Sequence, residues 1–130
     1  MVIQQYGLIL SGDSFDPYKV AQQFDIKLTN WRNNLVSPDN CKASAWIRPP
    51  EEIFSDFDNK WCGEPVSWLL DYIEDKVEIL RNNGVEEIQL DMAYLFDPPN
   101  DELRYCEHLT VEQLRKMSEL QICFNICVYF

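Results

Sequence analysis

The sequence predicts an α+β protein: a single mixed or antiparallel sheet with helices packed mainly on one face. Three observations carry that expectation. An apolar stripe at helical spacing runs through residues 65–82. Two runs, 85–96 and 122–130, place apolar residues at every second position. Two further segments open with helix-capping residues. Taken in order, the elements read β-α-β-β-α-β-α-β.

Residues 2–11 form the first strand, with Tyr6, Leu8 and Leu10 on one face and Ile9 on the other. Gly12, Asp13 and Ser14 turn the chain. Asp16 caps the helix that follows, and Pro17 takes its first position, where a backbone N–H has no partner to lose. Phe15 before the cap and Val20 in the first turns make a hydrophobic staple, and the helix ends near Phe24. Residues 27–32 and 41–48 read as two strands joined by the turn Ser37-Pro38-Asp39-Asn40. Pro49 and Pro50 stop the second, since neither donates a ladder hydrogen bond.

The helix over 65–82 buries Val66, Leu69, Leu70, Ile73, Val77 and Leu80, with Asp71, Glu74, Asp75 and Glu78 on its other faces. Asn83 and Gly84 end it, because glycine accepts the left-handed conformation of a helix stop. In the next strand Ile88, Leu90, Met92, Tyr94 and Phe96 share one face; Gln89, Asp91, Ala93 and Leu95 share the other. Asp97-Pro98-Pro99-Asn100-Asp101 breaks it. Thr110 and Gln113 then form a capping box, with Leu109 and Leu114 as its staple and Val111, Leu114, Met117 and Leu120 turned inward. The last strand sets Ile122, Phe124, Ile126, Val128 and Phe130 against Cys123, Asn125, Cys127 and Tyr129, and is expected to pair inside a sheet. The first six elements match a split-βαβ, ferredoxin-like layout. The final αβ unit adds a strand at an edge or at the centre, which the pattern leaves open.

A chain of 130 residues suits a single domain spanning 1–130 and can bury roughly two-thirds of its unfolded surface. A 46 % hydrophobic share with seventeen aromatics argues against disorder despite the charge. No run approaches the ~18 apolar residues of a membrane span. The first residues lack the basic and apolar regions of a signal peptide, so a cytoplasmic protein is expected. Cys41, Cys62, Cys106, Cys123 and Cys127 read as free thiols. Cys123 and Cys127 would stand ~13 Å apart along a strand, too far to share one metal, and no cofactor motif or phosphate-binding glycine loop is present.

The charge is unevenly placed. Residues 51–107 hold sixteen acids against four bases, and the flanking segments are close to neutral, so the net −11 belongs to the middle of the chain. A concentrated negative field repels nucleic acid and attracts a basic protein. Within it, the loop Glu51-Glu52-Ile53-Phe54-Ser55-Asp56-Phe57-Asp58, followed by Trp61, interleaves acids with aromatics, a composition common at binding hot spots. Glu51, Glu52, Phe54, Asp56, Phe57, Asp58 and Trp61 are therefore the candidate partner-binding residues. A loop folded over the sheet on its own aromatics has the same composition.

Catalytic signals are weak. His108 stands alone, two residues from Cys106, which is no dyad. The pairs Glu51/Glu52, Glu86/Glu87 and Asp101/Glu102 read as solvated faces, and Glu86/Glu87 cannot converge because adjacent strand residues point to opposite faces. Asp91, mid-strand, needs a partner such as Arg32 or Arg48 if its face is covered. Trp31, Trp46, Trp61 and Trp68 are core or half-buried positions more often than ligand clamps.

The run Ser11-Gly12-Asp13-Ser14-Phe15-Asp16-Pro17, Trp46 in a following strand, Ser67-Trp68 in a helix, and the close from Leu109-Thr110 to Tyr129-Phe130 resemble a bacterial domain-of-unknown-function family. The likeness spans most of the chain and consists of caps, turns and core positions. The family, immunity-protein-like in character, has no established activity, so the likeness carries over no functional residue. The expected function is a non-catalytic acidic binding protein, an immunity protein or antitoxin that occludes a basic toxin, a nuclease for example. The alternatives are an adaptor or structural domain whose acidity serves solubility, and a carboxylate-based enzyme holding a divalent metal.

Overall fold

The computed structural model describes residues 2–32, 43–58, 61–97 and 107–130, without the side chains of Asn30, Trp31 and Arg32. The turn expected at Ser37–Asn40, the pair Asp101/Glu102 and the thiols Cys41 and Cys106 lie outside the described residues. The elements are β1 (Ile3–Gly12), α1 (Pro17–Phe24), β2 (Thr29–Arg32), β3 (Ala43–Ile47), α2 (Gly63–Glu74), α3 (Val77–Asn82), β4 (Glu87–Leu95), α4 (Val111–Glu119) and β5 (Cys123–Tyr129). The fold is α+β, on one five-stranded mixed sheet in the order β2-β3-β1-β4-β5. β1 runs antiparallel to both β3 and β4, and β2 antiparallel to β3, which is the split-βαβ arrangement. β5 takes the open edge beside β4 and parallel to it, so the position left open by the sequence is the edge.

The core lies against one face of this sheet. Tyr6, Leu8 and Leu10 of β1, Ala45 and Ile47 of β3, and Ile88, Leu90, Met92 and Tyr94 of β4 all point there and are buried, together with Val66, Leu69, Leu70 and Ile73 of α2. The alternation of β1 and β4 dictates this, because a period of two sends every second side chain to the same face. On the other face Trp46 lies across Gly7.

The helix starts follow their caps. Asp16 accepts the Lys19 N–H at 3.2 Å, Pro17 occupies the first helical position, and Phe15 and Val20 are both buried. Thr110 and Gln113 close a complete capping box, at 3.1 Å and 2.9 Å.

Two helical expectations need correction. The helix over 65–82 is two helices, broken at Asp75–Lys76. The Lys76 N–H bonds Ile73 O at 2.8 Å instead of Tyr72 O, and the Lys76 ammonium takes the freed Tyr72 carbonyl at 2.9 Å. The apolar stripe continues across the break, which is why periodicity did not reveal it. In α4, Val111 and Leu114 face solvent; the inward residues are Gln113 and Met117. Gln113 turns inward because the start of α2 satisfies its amide: it donates to Gly63 O at 3.0 Å and to Ser67 Oγ at 2.9 Å.

The stop after α3 is a Schellman motif, with Val85 N–H on Leu80 O at 3.1 Å and Gly84 at φ 97°. A Cβ on Gly12 would stand 1.9 Å from the Gly84 carbonyl oxygen, so β1 and this stop meet backbone to backbone. Among the described residues no helix is long and apolar enough to cross a membrane.

Candidate functional site

The acidic loop exists because β3 stops early. Pro49 and Pro50 end β3 just after Ile47 pairs with Leu8, so β3 covers β1 only from Leu8 onward. The loop closes the uncovered part. Ile53 and Phe54 donate to Pro50 O at 2.9 and 3.0 Å, and Gln4 N–H donates to Asp56 O at 3.0 Å. Phe54 plugs the gap from above, its ring edge-on to Tyr6 at 4.9 Å. Asp58 holds a second turn, accepting the Ser55 N–H at 2.8 Å and the Ser55 hydroxyl at 3.0 Å.

This architecture sorts the seven candidate residues. Phe54 is a core residue. Asp56 is ion-paired with Arg48 and accepts a long bond from Gln5, while Asp58 serves the turn. Glu51, Glu52, Phe57 (60 % exposed) and Trp61 (65 %) remain on the surface. Glu51 and Phe57 line one small pocket with Arg48 and Asp56, but the four share no single cleft. Glu51 and Glu52 line a cleft with Trp68 and Tyr72; Phe57 lines a smaller one with Ile3, Leu95 and Tyr129; Trp61 stands 6.3 Å from the His108 ring.

The first cleft, about 470 Å³, runs between α2, the start of β2 and the end of β3. Trp68 and Tyr72 stack within it at 4.9 Å and 12°, one turn apart on α2. The Lys76 ammonium lies 4.1 Å from the Tyr72 ring centre, so this aromatic pair already holds one cation. Lys27 and Arg48 also line the cleft, and Arg48 is engaged by Asp56. Carboxylates beside an aromatic wall suit a cationic side chain from outside: charge attracts it, and the ring faces shelter its stem.

Most of the other described acids of the middle segment are occupied internally. Asp71 and Glu74 bracket Lys116 at 2.6 and 2.8 Å, Asp75 holds Lys76, Glu86 accepts the Asp13 N–H, and Glu87 accepts the Cys123 thiol. Those pairs hold Lys116 above, and Asp75 below, their usual ranges through hydrogen bonding and charge. Asp91 is buried as its strand position allowed. Its partner, however, is Asn125 on β5 at 2.6 Å, while Arg48 pairs with Asp56; the Arg32 side chain lies outside the described ones. Glu51, Glu52, Glu64 and Glu78 are exposed with no hydrogen-bond or ion-pair partner among the described residues.

A polar node inside the fold carries no signal in the sequence beyond an acid next to the capping segment. Glu107 accepts the Tyr6 hydroxyl at 2.7 Å and Gln4 at 3.3 Å through one oxygen, and the Cys62 N–H at 2.9 Å through the other. Around it, burial pushes the Cys62 thiol up to about 12, with the Glu107 carboxylate adding to the effect. Burial likewise raises Tyr6 and Tyr94 well above the usual phenol range. Cys62 donates to the His108 carbonyl at 3.3 Å rather than to its imidazole, which leaves it a protonated, poor nucleophile. Among the described residues no three of His, Cys, Asp and Glu are grouped to hold a metal ion.

Compared with protein-family models, with curated proteins and with solved structures, the chain matches none of them.

Proposed function

We propose that the protein is a stoichiometric binder of a basic protein, of the immunity-protein or antitoxin kind, which receives a lysine or arginine of its partner in the Trp68–Tyr72 cleft. One observation carries this reading: Glu51 and Glu52 line an aromatic cleft without an internal partner, while most other described acids around them are occupied. Free carboxylates beside stacked rings offer both long-range attraction and a desolvated anchor. Phe57, which shares a small pocket with Glu51, extends the contact surface.

Co-expression with the product of the neighbouring reading frame tests the proposal. Expected results are a one-to-one complex, rescue of growth, and an affinity that falls as salt is raised. The double reversal Glu51→Lys/Glu52→Lys is expected to weaken binding at least tenfold, while the reversal Glu78→Lys on α3 leaves it within a factor of about two, as distant surface charges act weakly. Rescue that survives the double reversal would place the contact elsewhere, and the reading would fail.

A further inference from the structure

The two edges of the sheet differ. β2 is a short strand of four residues, and its register with β3 shifts between Thr29 and Arg32, devices that discourage further pairing. β5 has seven residues, no charge and no proline, and among the described residues no strand pairs with its outer side. Its register places Phe124 beside Leu90, Ile126 beside Met92 and Val128 beside Tyr94. The β4 members of those pairs are buried. Phe124, Ile126 and Val128 are 45 %, 52 % and 47 % exposed, with Tyr129 and Phe130 more so. The apolar layer thus extends one strand past the helices that cover it.

We infer that β5 is a self-pairing edge, joining two copies of this chain into one continuous sheet by antiparallel β5–β5 contact centred near Ile126. Charge selects the occupant. From Leu120 to Phe130 there is no charged side chain, on a protein that carries −11 elsewhere, so a basic partner finds no counter-charge on this strip and a second copy sets no like charges against each other within it. Pattern agrees with charge. A two-fold axis at Ile126 sets that residue against its own copy and Phe124 against Val128 on one face, with Asn125 against Cys127 on the other. Every contact is then apolar with apolar or neutral with neutral. The exposed parts of Phe124, Ile126, Val128, Tyr129 and Phe130 amount to on the order of 500 Å² per copy, about 1,000 Å² in total, which is the size of a weak, transient contact. The expected dimer is consequently reversible.

Sedimentation of the full chain over a hundredfold concentration range tests this. The mass is expected to rise from 15.4 kDa toward twice that value. Ile126→Glu and, separately, Val128→Lys are each expected to raise the dissociation constant at least tenfold, and both positions are exposed enough for the monomer to fold. Val111→Glu, on the exposed side of α4, is expected to leave it unchanged. Hydrogen exchange on the unaltered protein provides a readout free of substitution, with the β5 amides slowing as concentration rises. A chain that stays monomeric throughout, or a dimer that survives both β5 charges, overturns the inference. Slowing of β5 exchange only when a basic protein is added would give this edge to that partner and overturn it as well.

Discussion

Phe54 meets Tyr6 edge to face at 4.9 Å and 64°, joining the middle of the acidic loop to the centre of the first strand. A segment that composition marks as a contact surface is thereby half core. Its aromatic residues alternate in role: Phe54 inward, Phe57 outward.

The first prediction follows from that alternation. Phe54→Ala should lower unfolding free energy by about 3–5 kcal/mol, the usual cost of deleting a buried ring. Phe57→Ala and Trp61→Ala should each stay within ~0.5 kcal/mol, because most of each ring already faces water. Urea unfolding of the three variants gives the comparison. Similar losses for Phe54 and Phe57 would mean the loop is not anchored as described.

The sheet and its covered face were legible because period-two alternation in β1 and β4 is a direct consequence of strand geometry. Capping at Asp16 and Thr110 was legible for a similar reason, since the orphan N–H groups of a first turn select those side chains. Three features were not. The break at Asp75–Lys76 keeps Ile73, Val77 and Leu80 in one apolar stripe, so periodicity passes over it. The inward turn of Gln113 depends on acceptors some fifty positions away, at Gly63 and Ser67. The division of the loop acids depends on where Arg48 reaches, which no local pattern encodes. Sequence located the acidic loop; only tertiary contacts separate its free carboxylates from its occupied ones.

Glu107 leads to the second prediction. Its two oxygens take the Tyr6 hydroxyl, Gln4 and the Cys62 N–H, and so tie the segment before α4 to β1 and to the start of α2. Removing the carboxylate strands part-buried donors, each costing ~1–3 kcal/mol. Glu107→Ala is therefore expected to destabilise the fold by roughly 2–4 kcal/mol. Glu107→Gln, which keeps one acceptor oxygen, should cost less than half as much. A calorimetric Tm for Glu107→Ala matching that of the unaltered chain would show the node to be dispensable.

The third prediction concerns alkaline pH. Burial holds Cys62 protonated up to about 12 against an ordinary 9.0, and raises Tyr6 and Tyr94 above their ordinary 10.0. More than about one unit below pH 9.0 all three are protonated whether the chain is folded or not, and stability is at its full value. As pH climbs past that point the unfolded chain releases protons that the folded chain retains. The unfolded state then binds fewer protons, so stability must fall with rising pH. Cys62 acts first, at up to about 1.4 kcal/mol per pH unit, with a lesser part from the Cys123 thiol, which burial and Glu87 also raise, and the tyrosines add to the slope from about pH 10. Urea midpoints taken from about pH 8 to about pH 11 should decline accordingly. Cys62→Ser keeps a donor for the His108 carbonyl without an ionisable thiol, and should flatten the first part of the decline while leaving the later part. If Cys62→Ser and the unaltered protein lose stability in parallel from pH 9 to about pH 10, the buried thiol is not the source.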